Sequence, residues 1–166
     1  GMKTLLGNKE QKIALGLILL TVATRLLPHP PNFAPITGIA LFAAARFQRK
    51  YLAVLIPFLS LFLTDLLLGL SAITWFVYAG FALILLLGFQ TKKTGITTVL
   101  LSSVLFFVVS NLGVWVLHYP LTLEGLTACF TLAIPFFTNT LLGDLVYTGV
   151  LFFSFSSIKQ YVLQPR

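Results

Sequence analysis

Charge is what this sequence has least of. Asp, Glu, Lys and Arg make up 9% of its 166 residues, and only four of them are acidic: Glu10, Asp65, Glu124 and Asp144. So little charge beside 58% hydrophobic residues excludes an ordinary soluble domain. The single cysteine, Cys129, excludes an internal disulfide. No HExxH, no GK[ST] phosphate loop and no CxxC is present, and four carboxylates are too few for a phosphate-metal cluster. The expectation is therefore a non-enzyme without a bound cofactor or resident metal. The apolar stretches also lack the alternation over about ten residues that a membrane barrel strand shows.

Long apolar runs are present instead, as from Leu52 to Leu70. In lipid, backbone polar groups must be satisfied internally, which leaves helices once barrels are set aside. The breakpoints predict an all-α membrane protein of six transmembrane helices in one domain over residues 1–166. Spans are expected near 12–27, 33–47, 51–70, 73–90, 96–118 and 133–158. The second is short, and Asn32 and Pro35 suit its start. Leu121 to Ala133 carries Thr122, Glu124 and Thr127, which predicts a short interfacial helix before Pro135 turns the chain into the last span; one long kinked helix is the alternative. No small-residue cleavage site follows the first apolar run before Arg25, so that run is expected to be a retained helix.

The net charge of +7 sits in short clusters between the runs, not in a stripe, and so points to topology, with no nucleic-acid partner. An N-terminus inside puts ten of the eleven basic residues on the cytoplasmic side: Lys3, Lys9, Lys12, Arg46, Arg49, Lys50, Lys92, Lys93, Lys159 and Arg166. Arg25 alone falls outside. Six spans with both termini cytoplasmic is the arrangement this predicts.

An ionisable group inside a span marks a partner or a cavity. On these boundaries Arg25, Asp65, Asn111 and Asp144 all fall in the outer half, with Asn139 close to Asp144. One reading pairs Arg25 with Asp65 or Asp144 and lets Asn111 bridge helices. The other lines an outward-facing pocket with these groups. Trp115 lies four residues from Asn111 on one helix face, where it could stack an aromatic ligand over a polar contact. Tyr78, Trp75 and Tyr119 read as headgroup anchors. His29, His118 and Cys129 lie on one predicted side, but their spacing is not that of a metal site. The loop from Leu27 to Pro35 holds four prolines and is either a stiff lid over Asn32 and Phe33 or a tight reconnection. Ala40 and Ala44 permit close helix approach, inside the bundle or to a partner. Ile56-Pro57-Phe58 leading to Asp65-Leu66 resembles Ile134-Pro135-Phe136 leading to Asp144-Leu145, by inverted duplication or by chance in a Leu/Phe-rich chain.

Arg25-Leu26-Leu27-Pro28-His29-Pro30-Pro31-Asn32-Phe33-Ala34-Pro35-Ile36, Asn111-Leu112-Gly113-Val114-Trp115 and Pro135-Phe136-Phe137-Thr138-Asn139-Thr140-Leu141-Leu142-Gly143-Asp144 resemble the signature blocks of a bacterial integral-membrane family of unknown function. That family more distantly resembles the substrate-binding S components of energy-coupling-factor vitamin transporters. The resemblance implies an S-component-like bundle in a bacterial cytoplasmic membrane, a vitamin-like ligand and an energising transporter module as partner. S components present an Ala-xxx-Ala motif on their first helix, whereas here Ala14 is followed by Ile18.

The expected function is binding and uptake of a small molecule, with Arg25, Asn32, Phe33, Asp65, Asn111, Trp115, Asn139 and Asp144 as the substrate site. Two rivals stand beside it: an ion-coupled secondary carrier using Asp65 and Asp144, and a structural membrane subunit without a ligand.

Overall fold

A computed structural model describes residues 2–27, 35–47, 49–91 and 93–163, with residues 2–11, 14 and 155–163 described as backbone only. His29, Asn32, Phe33 and the rest of the proline-rich loop at 28–34 lie outside the described residues. The chain forms six helices: α1 Met2–Leu26, α2 Ile36–Arg46, α3 Lys50–Leu68, α4 Ile73–Gln90, α5 Ile96–His118 and α6 Leu123–Leu163.

Short polar side chains and glycine set the helix ends. α3 stops at Gly69, whose φ of 108° is open to glycine and whose N–H donates to the Asp65 carbonyl at 2.8 Å. Ser71 donates its N–H to Thr74 Oγ1 at 3.2 Å where α4 begins. Thr122 caps α6, its hydroxyl accepting the Gly125 N–H at 3.1 Å.

Four helices are long and apolar enough to cross a membrane: α3, α4, α5 and the Leu123–Ser154 stretch of α6. The apolar part of α1, Leu15–Leu26, is shorter. α2, with 11 residues, extends about 16 Å, roughly half of a bilayer core.

The expected break at Pro135 is corrected. α6 runs unbroken for 41 residues, so the segment before Pro135 is not a separate interfacial helix. Proline removes one backbone hydrogen bond, but packing supports the helix on both sides of it. The Phe107 ring of α5 sits 5.5 Å from Phe130 and 4.7 Å from Phe137, two residues that flank Pro135 on one face.

α2 is the hub. Every residue from Ile36 to Ala44 is buried, and α3, α4, α5 and α6 pack around it. Leu17 and Ile18 of α1 join Ile39, Phe42 and Ala43 of α2 with Ala53 and Ile56 of α3 on one side. Ala40, Leu41 and Ala44 meet Phe81, Ile84 and Leu85 of α4 on the other. Ala40 and Ala44 therefore pack internally.

Without a hydrophobic force between helices in lipid, close approach depends on small residues. A Cβ at Gly88 would stand 2.8 Å from Ala44 Cβ, which brings α4 onto α2. Between α4 and α5, Gly80 receives the Phe106 ring and Gly113 receives the Phe76 ring. α1 packs mainly on α3 whereas α4 packs mainly on α5, so the two halves are not arranged alike and the Pro57 and Pro135 motifs do not mark matching units. Most outward positions are Leu, Val, Ile and Phe, which suits lipid.

The ends of the bundle differ. At one, α1 and α3 end together at Arg25 and Asp65. At the other, Lys50 Nζ donates to the Ala44 carbonyl at 3.1 Å, lies 5.1 Å from the Phe89 ring centroid, and so ties α2, α3 and α4. Arg46 stacks there over Phe152 of α6 at 5.3 Å.

Candidate functional site

Two polar centres emerge, and they are separate. The first lies at the Arg25 end. Arg25 Nη1 donates to Asp65 Oδ1 at 3.1 Å, to the Leu61 carbonyl at 3.4 Å and to the Thr64 hydroxyl. Tyr78 OH of α4 donates to Asp65 Oδ2 at 2.9 Å. Of the two partners the sequence offered Arg25, the fold selects Asp65, because α1 and α3 run parallel and end at one level. Tyr78 is more than a headgroup anchor, since it serves both α4 and this carboxylate.

This centre is internally satisfied: each Asp65 oxygen has a donor and the guanidinium has its counter-charge. Removing one partner leaves the other charge uncompensated. Arg25→Ala is expected to cost about 3 kcal/mol in detergent-solubilised thermal unfolding, and Arg25→Ala with Asp65→Asn less than Arg25→Ala alone.

The second centre is Asp144, and its position corrects the sequence expectation. Its Oδ2 accepts from Ser103 Oγ at 2.6 Å, and the Thr37 hydroxyl in the first turn of α2 is its other side-chain partner. Ser103 lies about 22 Å along α5 from His118, at the Arg25 end, and only about 10 Å from the start of α5. Asp144 is thus near the middle of the bundle, not beside Arg25. The expectation failed because the last span was started near residue 133, whereas α6 begins at Leu123, about 15 Å earlier.

Asp144 is 3% exposed, and the Arg25–Asp65 pair is the sole salt bridge among the described residues. The carboxyl therefore sits among hydroxyls without a basic side chain. One turn further along α6, Thr148 Oγ1 is buried with no hydrogen-bond partner, packed against Gly38 of α2. The first turn of α2, whose N–H groups have no partners within the helix, reaches the bundle interior at this level.

The remaining predicted site residues do not converge on either centre. Asn111 Nδ2 donates to the Phe107 carbonyl of its own helix at 2.8 Å, while its backbone carbonyl accepts from Cys129 Sγ at 3.5 Å. Trp115 Nε1 donates to the Pro120 carbonyl at 2.9 Å and so pins the α5–α6 turn. Trp115→Phe, which keeps the ring and drops the donor, should lower unfolding stability by about 1 kcal/mol. Asn139 is half-buried on α6. Among the described residues no three His, Cys, Asp or Glu side chains gather as metal ligands.

Residues 7–165 match the family of unknown function DUF6580. The chain belongs to the DUF6580 family. No curated protein and no solved structure matches it. In the geometry of this DUF6580 member, Asp144 is the residue that stands apart, a buried carboxyl among hydroxyls.

Ser103, Thr37 and Thr148 escaped the sequence reading of the DUF6580 chain. Hydroxyls in apolar helices commonly bond back to their own backbone, as Thr21, Ser60 and Thr127 do here. The available signal was spacing: Thr148 follows Asp144 by one turn on the same face of α6.

Proposed function

We propose that this protein is a membrane carrier for uptake of a small molecule, coupled to a cation, and that Asp144 is the coupling group. The observation that carries the reading is a buried carboxyl with no basic partner at the mid-bundle start of the short helix α2. Intramembrane carboxyls of this kind are costly and commonly serve as ion sites. Helices that begin inside a membrane bundle recur at transporter binding sites, because their free N–H groups and unpaired polar atoms are available there. Asp65 takes the structural part, since Arg25 already neutralises it.

The topology that goes with this reading has six membrane-embedded helices, α2 the short one among them, and both termini in the cytoplasm of a bacterium. Its support is the collection of Arg46, Arg49 and Lys50 at the end opposite Arg25.

The test is transport by the purified protein in liposomes. A panel of labelled vitamins, amino acids and nucleobases is offered under an imposed proton or sodium gradient. Gradient-dependent accumulation of at least one solute, absent from protein-free liposomes, is the expected outcome. Folded protein that accumulates nothing under either gradient would sink the carrier reading.

A second reading is a vitamin-binding subunit that relies on an energising module. Asn111, Trp115 and Asn139 are only half-buried on α5 and α6, which leaves polar and aromatic surface for a ligand. This reading expects a vitamin to raise the unfolding temperature of wild type but not of Asn111→Ala, with no gradient-driven uptake by the isolated chain.

A further inference from the structure

We propose that the cation held at Asp144 is a proton, carried on a neutral carboxyl that Ser103 and Thr37 position. Its role in transport rests on the carrier reading above, but its identity is argued from the geometry alone.

Three elements meet at the carboxyl: α2 offers Thr37, α5 offers Ser103, and α6 carries Asp144 itself. The charged residue of α2 is Arg46, about 13 Å along the helix from Thr37 and stacked on Phe152. On α5 the titratable group is His118, exposed about 22 Å from Ser103. On α6 the titratable neighbour is Tyr147, beside Gly38, while Glu124 lies about 30 Å away. None supplies a positive charge to Asp144. An ionised carboxylate there would be an unpaired charge in low dielectric, which the site avoids by taking up one cation.

Asp144 Oδ2 and Ser103 Oγ are 2.6 Å apart, the separation of two oxygens that share a hydrogen.

The hydrogen count completes the case. Ser103 has one hydroxyl hydrogen and two acceptors in reach, Asp144 at 2.6 Å and the Val99 carbonyl at 3.0 Å. With Asp144 ionised, the Ser103 O–H serves the carboxylate and leaves Val99 unmet; protonation reverses that bond, the carboxyl O–H donating to Ser103 Oγ and the Ser103 O–H turning to Val99, so each hydrogen has one acceptor. The unpartnered Thr148 hydroxyl, one turn along α6, supplies a further polar oxygen on the same face. Loading converts a carboxylate and one proton from water into a carboxyl; release reverses it, and one positive charge moves per cycle.

Infrared difference spectroscopy of the purified protein, compared in H2O and D2O, reads this directly. Wild type at neutral pH should show the carbonyl stretch of a protonated carboxyl, shifted by deuterium and unchanged when choline chloride replaces sodium chloride. Asp144→Asn should lose the band. Ser103→Ala should keep it at a higher frequency, since the acceptor is gone, and Asp65→Asn should leave it in place. Should Asp144→Asn fail to fold, an alkaline titration of wild type that abolishes the band, together with the Ser103→Ala shift, carries the same information. Absence of the band at neutral pH, or its loss on adding sodium, would overturn the proton assignment. A band without gradient-driven uptake would overturn the carrier reading and leave the proton site standing, whereas sodium-driven uptake without a band would do the reverse.

Discussion

Asp144→Asn is expected to abolish gradient-driven accumulation in liposomes while leaving the protein folded. The amide has nearly the shape of the carboxyl and can make the same two contacts, with Nδ2 donating to Ser103 Oγ and Oδ1 accepting from Thr37. Unfolding stability should therefore fall by no more than about 1 kcal/mol, the net worth of one hydrogen bond. What the amide cannot do is gain and lose a proton. Accumulation against a gradient should drop to the level of protein-free liposomes, while exchange of labelled for unlabelled solute without a gradient should persist. Measuring both in the same vesicles separates the outcomes. Undiminished accumulation by folded Asp144→Asn protein would remove Asp144 from the coupling mechanism. Loss of accumulation, exchange and thermal stability together would instead mark Asp144 as a packing residue and favour the structural-subunit reading.

Much of the fold was legible because lipid simplifies the code. Uninterrupted apolar runs bounded by polar loops gave α3, α4 and α5 nearly to the residue, since a helix in hydrocarbon must be apolar over its whole exposed surface. α2 and α6 were not legible in that way. A Pro such as Pro135 argues for a break only if nothing holds the two sides together, and the Phe107 ring that does so belongs to another helix. Likewise α2 was read as a span because it is apolar, yet it is apolar because it is wrapped by four helices, and it covers only half of a bilayer.

The site was half legible for a related reason. That Arg25 and the two intramembrane aspartates mattered followed from the cost of charge in lipid. Which aspartate Arg25 meets depends on helix order around α2, and this the sequence does not state. Asn111 and Trp115 share a helix face as their spacing requires, yet their donors serve Phe107 and Pro120 of the same chain. Spacing fixes which way a side chain points along its own helix, not what stands opposite.

What stands opposite is decided at Gly38, and Gly38→Val is expected to damage the fold severely. A Cβ there would lie 2.9 Å from Thr148 N, 3.0 Å from Thr148 Oγ1 and 3.1 Å from the Tyr147 carbonyl carbon. Two of these atoms are backbone, so no rotamer change can make room, and α2 must move away from α6. By contrast, a Cβ at Gly16 meets nothing within 4 Å. Overpacking of this kind costs about 1–3 kcal/mol even where side chains can adjust, and the rigid neighbours place Gly38→Val at or above the upper end. Gly16→Ala, on the same scale, should be neutral or stabilise α1 by up to about 1 kcal/mol through helix propensity. Thermal unfolding in detergent, read by loss of the monodisperse peak on size exclusion, ranks the two. Because Thr37 precedes Gly38 on the same turn, pushing α2 outward also draws the Thr37 hydroxyl away from Asp144. Gly38→Ala, the milder change, should accordingly weaken cation coupling in protein that still folds. A Gly38→Val protein as stable as wild type would mean that the gap between α2 and α6 is slack, and that the carboxyl's position depends on α5 and Ser103 instead.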